Sequence, residues 1–238
     1  MLRIILAIPF SVINTSNNVV ANTIQLTTSP TRVAIGPNGG HLYVGSESGS
    51  SIYNRITYIT TIYTSNNLVA NILTVPPIAT SDELLLTAMS MSNSGKHLYL
   101  LSYIPSIGSY FDIMNTATDT ISSSSPGATN IASGYSLATA PNNDVYFLSN
   151  YYYLTFITPI FNYLGMSFGL SCNPGGTDTV LIKNNGYLLC NYDPDSMTVF
   201  NTITNVVLKT ISLSPYSSNM TASQDGKYVY FNYASGDS

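Results

Sequence analysis

Charge is what this sequence has least of. Only 8% of its 238 residues are Asp, Glu, Lys or Arg, against about a quarter in an average globular chain. The seven Lys and Arg stand singly at positions 3, 32, 55, 96, 183, 209 and 227. Isolated cations build no stripe along a phosphate backbone, so nucleic acid is a poor partner class. Trp is absent, and His and Cys number two each. Two histidines without a neighbouring acid cluster argue against a zinc site. Neither Gly-x-Ser-x-Gly nor a Gly-Lys-Ser/Thr phosphate loop occurs, and the GPNGG and NPGG stretches read as turns. No apolar run approaches the roughly 18 to 20 residues of a membrane-spanning helix.

Apolar residues make up 45%, enough at this length to bury a sizeable core. Ser, Thr, Asn and Tyr supply the polar surface in place of charge. Such a surface stays soluble where charges are titrated or screened, as outside a cell, so the expected location is extracellular or at the cell surface. The opening MLRIILAIPFSVI, with Val19-Val20-Ala21 behind it, has the outline of a signal peptide. It is read instead as structure, because cleavage after Ala21 would remove the first copy of a repeat.

That repeat is the main positive signal. VINTSNNVVANTI at 12–24 returns as TIYTSNNLVANI at 61–72, then more loosely as DIMNTATDTI at 112–121 and VFNTITNVVLKTI at 199–211. A second element alternates with it: GPNGGHLYV (36–44), SNSGKHLYL (92–100), APNNDVYFL (140–148), KNNGYLLC (183–190) and SQDGKYVYF (223–231). Each is a turn of Asn, Gly or Asp followed by alternating apolar and aromatic residues, the pattern of a β-hairpin. Helical periodicity is almost absent. Each repeat therefore holds four short strands, beginning with inner strands such as TRVAI.

Aligned on Tyr43, Tyr99, Tyr146, Leu189 and Tyr230, the repeats are spaced by 56, 47, 43 and 41 residues. Four-stranded units of about 40 to 50 residues are propeller blades. The fold expected is an all-β, five-bladed β-propeller in a single domain. Its blade segments are 1–30 with 219–238, 31–76, 84–130, 135–171 and 177–215. The N-terminal segment supplies the last two strands of one blade and the C-terminal segment its first two. Pairing the two ends would remove the exposed edges of an open array.

SGKHLYL and DGKYVYF, followed by SVINTSNNVVANTI and TVFNTITNVVLKTI, resemble the YVTN family of β-propeller repeats found in surface and secreted proteins. The four signature letters read here as YVGS, YLLS, YFLS and YFNY, and Asn14, Asn115 and Asn201 replace the family's Asp. The resemblance implies a fold and brings no active site with it.

Candidate sites are few. His41 and His97 hold the same place in two repeats and read as solvated strand starts. Asp193 and Asp195, in NYDPDS, could offer alternate oxygens to Ca²⁺ with Asp178 nearby, or simply flank a Pro turn. Tyrosine is the richer signal, with 19 copies. Tyr103, Tyr110, Tyr151-Tyr152-Tyr153, Tyr192 and Tyr233 fall where second strands run out into loops that share one face. Rings with hydroxyl tips among Asn and Ser suit a sugar or a protein surface, or they cap the blades. Of these, Tyr103, Tyr110, Tyr152, Tyr192 and Tyr233 are the ligand-binding candidates. Cys172 and Cys190 approach the same face and could form a disulfide, which would contribute roughly 3 kcal/mol. Asn14-Thr-Ser and Asn219-Met-Thr are glycosylation sequons.

Together these features lead to a non-enzymatic extracellular binding or structural module. Its partner would be a glycan, a surface protein or further copies of itself, with no cofactor beyond Ca²⁺. The alternative is a lactonase- or lyase-type propeller enzyme with a divalent metal in its central channel. The inner strands weaken that alternative, because Arg32 and Asp178 are their only charged residues.

Overall fold

Strands and turns make up the chain wherever it is described. The structure is a computed structural model that describes residues 8–26, 28–49, 55–76, 85–104, 108–123, 134–149, 154–158, 163–164, 176–190, 196–213, 217–223 and 225–233. An N-terminal hairpin pairs β1 (Ile8–Asn14) with β2 (Val19–Leu26). Four antiparallel four-stranded sheets follow, each in simple meander order. The first holds β3 (Ser29–Ile35), β4 (His41–Ser48), β5 (Ile56–Tyr63) and β6 (Leu68–Thr74). The second holds β7 (Leu85–Met91), β8 (His97–Ile104), β9 (Gly108–Asn115) and β10 (Thr120–Ser123). The third holds β11 (Gly134–Thr139), β12 (Val145–Ser149), β13 (Leu154–Thr158) and β14 (Tyr163–Leu164). The fourth holds β15 (Gly176–Ile182), β16 (Asn185–Cys190), β17 (Ser196–Asn201) and β18 (Val207–Ser212). A C-terminal hairpin pairs β19 (Ser217–Ala222) with β20 (Val229–Tyr233).

The turns explain why the same letters recur. Asn18, Asn67, Asp119 and Asn205 occupy one position in four outer hairpins, and all have φ between 53° and 60°. Asn and Asp tolerate this left-handed conformation better than other side chains. Four residues earlier, the Asn14, Asn115 and Asn201 amide oxygens accept backbone N–H groups of the same turn. An Asn does this as well as an Asp. The inner hairpins use Gly39, Gly95, Asn143 and Gly226 at φ near 70°.

The sheets stack face to face. Inner strands pack in the order β3, β7, β11, β15, β19. Tyr43 and Ile59 of the first sheet meet Met89, Leu98, Leu100 and Met114 of the second. Tyr99 and Phe111 of the second sheet meet Val145 of the third. The N-terminal hairpin lays Ile24 and Leu26 on Val44 and Ile62 of the first sheet. The C-terminal hairpin lays Met220 and Val229 against Leu189, Met197 and Val180 of the fourth. Each fully buried Leu or Ile contributes about 1.5–3 kcal/mol, so the interfaces between sheets form the core.

Two expectations differ from this arrangement. Register places Tyr187, not Leu189, opposite Val180 and Val199, where Tyr43 stands opposite Ala34 and Thr61. The turn before it has only Lys183 and Asn184, so counting forward from the turn overshoots. The anticipated ladder between the last and first strands is also missing among the described residues. There, β1–β2 and β19–β20 are two separate two-stranded sheets, each anchored on its neighbour in sequence.

Candidate functional site

The described loop face offers little to a ligand. Tyr103 is half-buried at the end of β8, opposite Ser109 and Leu85. Tyr110 lies inside β9 opposite Ser102, and its ring packs in the core between the first two sheets. Tyr152, Tyr192, Asp193, Asp195 and Cys172 lie outside the described residues, as do the side chains of Tyr233, Asp178, Cys190 and Asn219. Asn14 is exposed at the end of β1, where its amide oxygen accepts from Ser16 N and Ser16 Oγ at 2.9 and 2.7 Å. Among the described residues, no three of His, Cys, Asp or Glu gather as a metal site would require.

The charged groups that are described serve structure. Glu47 accepts from the Leu86 amide at 3.0 Å and pairs with Arg55 at 3.1 Å, clamping the first sheet to the second. The Arg32 guanidinium donates to the carbonyls of Thr31 and Thr87. It ties β3 to β7 and projects no charge toward a reacting group. His41 packs against the ring of Tyr63, with centroids 5.2 Å apart.

On the opposite face the inner turns form a notch of about 310 Å³ between the first two sheets. Its walls include Asn38, His41, Tyr43, Gly95 and Thr116. Burial raises the Tyr43 pKa, and its hydroxyl is bonded to the Thr116 side chain. The hydroxyl is therefore neutral and committed to holding two sheets together. The notch was not evident from sequence, since it arises only when two consecutive turns are placed side by side.

The outer strands provide the unusual surface. β6 and β18 are the edges of their sheets, and β2 is the second strand of the N-terminal hairpin. Natural edge strands usually carry charges that discourage docking. Lys209 is the only charge on these three. Leu68, Val69 and Ile72 on β6 are exposed, Leu68 by 61%, and so are Val19 and Val20 on β2 and Val207 and Leu208 on β18. Each strand is also interrupted by a bulge at one repeated position, beside Ala21, Ala70 and Leu208. A bulge breaks the ladder and deters simple strand addition. The rim thus presents apolar side chains more readily than backbone edges.

No protein-family model matches the chain, and no curated protein matches its sequence. Solved structures do match its fold. A hydrazine synthase chain from Kuenenia stuttgartiensis superposes with a TM-score of 0.65 at 13% identity, covering 90% of this chain. U3-55K matches at a TM-score of 0.59 and 10% identity over 82% of this chain. The WD40 repeats of RRP9 match at 0.58 and 11% over 79%. This chain covers 58%, 54% and 51% of those chains respectively. Among the described residues, no helix is long and apolar enough to cross a membrane. At such low identity the shared feature is the fold, so the chain is an all-β protein of β-propeller, WD40-like architecture.

Proposed function

We propose that the chain is a non-enzymatic propeller module of YVTN type that works outside the cell by binding protein, with further copies of itself as the partner. The observation that carries this reading is the apolar, nearly uncharged rim formed by β2, β6 and β18. WD40-like architecture supports an interaction role, since such repeats commonly present surfaces to other proteins. A second copy fits the rim because the net charge of −4 over 238 residues gives little repulsion between like molecules. Five blades, one completed from the two terminal hairpins, would arrange such rims around a closed ring. The sparse charge and the exposed Asn14 sequon support an extracellular setting, and a glycan there would sit on an outer turn.

Light scattering on the intact chain and on a Leu68→Lys/Val69→Lys variant tests the assembly reading. Natural chain that gains mass with concentration, and a variant that stays monomeric, is the expected pair. If the natural chain stays monomeric at high concentration, the rim is not an assembly surface.

A further inference from the structure

Two apolar faces of this molecule lie bare, and they stand at opposite ends of the row of sheets. On β3, Val33 and Ile35 are 54% and 59% exposed. They share a face with Val44 and Leu42, their cross-strand partners on β4. The N-terminal hairpin covers the outer part of that face, so Val44 is buried while the inner part stays open. At the other end, β20 turns Val229 toward the fourth sheet and exposes Tyr228 and Tyr230 on its other face, Tyr230 by 57%.

The completed interfaces show what belongs on such faces. Tyr43 and Ala34 of the first sheet pack on Met89, Met91, Leu98 and Leu100 of the second. In register, Tyr230 and Thr221 correspond to Tyr43 and Ala34. Val33, Ile35, Leu42 and Val44 correspond to Met89, Met91, Leu98 and Leu100. The hydroxyls follow the same rule. Tyr43 bonds Thr116 in the next sheet's outer turn, and Tyr146 reaches Thr202 O and Asn205 Oδ1 in the corresponding turn two sheets later in the chain. For Tyr230 the equivalent partners are Thr64 and Asn67 of the first sheet. The inner turns agree as well: a Cβ on Gly95 would touch Pro37 at 3.1 Å and one on Gly226 would touch Ile182 at 2.7 Å, yet nothing stands within 4 Å of Gly39.

We infer that the bare face of the first sheet is the docking site for the chain's own β19–β20 hairpin, which seats Tyr230 over Val33 and Ile35 and pairs β20 with β1. The register of that ladder follows from the second sheet, where His97 stands opposite Asn115 and Tyr99 opposite Ile113. Tyr228 takes the place of His97, and Asn14 that of Asn115 at the head of its outer turn. Tyr228 then lies opposite Asn14, and Tyr230 opposite Val12. This inference rests on the five-blade reading above and adds to it the partner surface and the register.

Cysteine pairs test it directly in the full chain, with Cys172 and Cys190 retained and all bridges mapped by peptide mass. Closely opposed positions on antiparallel strands can form a disulfide, whereas diagonal neighbours about 7–8 Å apart cannot without movement. The Asn14→Cys/Tyr228→Cys variant should form an intramolecular bridge under mild oxidation, and Val12→Cys/Tyr228→Cys should not. A bridge only in the second variant would overturn the register while leaving the ring intact. No bridge in either would overturn the five-blade ring itself. A bridge between two chains would overturn closure within one chain in favour of hairpin exchange with a second copy. Circular dichroism of the reduced variants, matching the parent chain, verifies folding before oxidation.

Discussion

Tyr146 Oη lies 2.9 Å from the main-chain oxygen of Thr202, and so a buried hydroxyl of the third sheet is spent on the outer turn of the fourth. Asn205 Oδ1 is 2.8 Å from the same hydroxyl. Tyr43 makes the equivalent connection to Thr116. The tyrosines of this column fill the space between sheets and also fix the order in which sheets dock.

Replacing Tyr146 with Phe keeps the ring and removes the hydroxyl. The Thr202 carbonyl then loses this donor at a buried site, which costs about 1–3 kcal/mol. Urea denaturation should show a lower midpoint with an unchanged slope. An unchanged midpoint would mean that water replaces the hydroxyl freely.

Alkaline pH should weaken the fold through the same column. Burial raises the pKa of Tyr43, Tyr99 and Tyr146. Because the folded state holds these phenols neutral, their contribution is complete below the unfolded value of about 10. It is lost as pH rises from there through the raised folded values. Denaturation midpoints measured from pH 8 to 11 should be flat and then fall, and Tyr146→Phe should fall less steeply.

Gly186 is a packing position. A Cβ there would collide with the ring of Phe200 on the adjacent strand, and that ring also contacts Tyr146 with centroids 5.4 Å apart. Gly186→Ala should therefore cost about 1–3 kcal/mol by overpacking. Thermal unfolding checks it, and a neutral result would show that Phe200 has room to move.

Much of the architecture could be read from the sequence because its determinants are local. Asn and Gly at left-handed turn positions, and alternation in HLYV and HLYL, fixed four strands per repeat without any knowledge of contacts. Position in the core was harder to read. Tyr110 was expected on a loop face, but β9 begins at Gly108 after a very short connection, which puts Tyr110 inside a strand. Tyr187 was missed as a member of the tyrosine column because its hairpin is shorter than the others. The apolar rim was present in VVANTI and LVANIL from the start. Its exposure, however, depends on which strand ends each sheet, and that is settled by tertiary stacking.

The most direct test of the account is a nuclear Overhauser measurement on the unmodified chain, between the Hα of Tyr228 and the Hα of Asn14. The account predicts a strong cross-peak, because these residues oppose each other at a closely spaced antiparallel position. A peak that survives dilution would place both strands in one closed blade. Its absence, with both resonances assigned, would contradict the closed ring and leave β3 and β20 as bare ends of an open array.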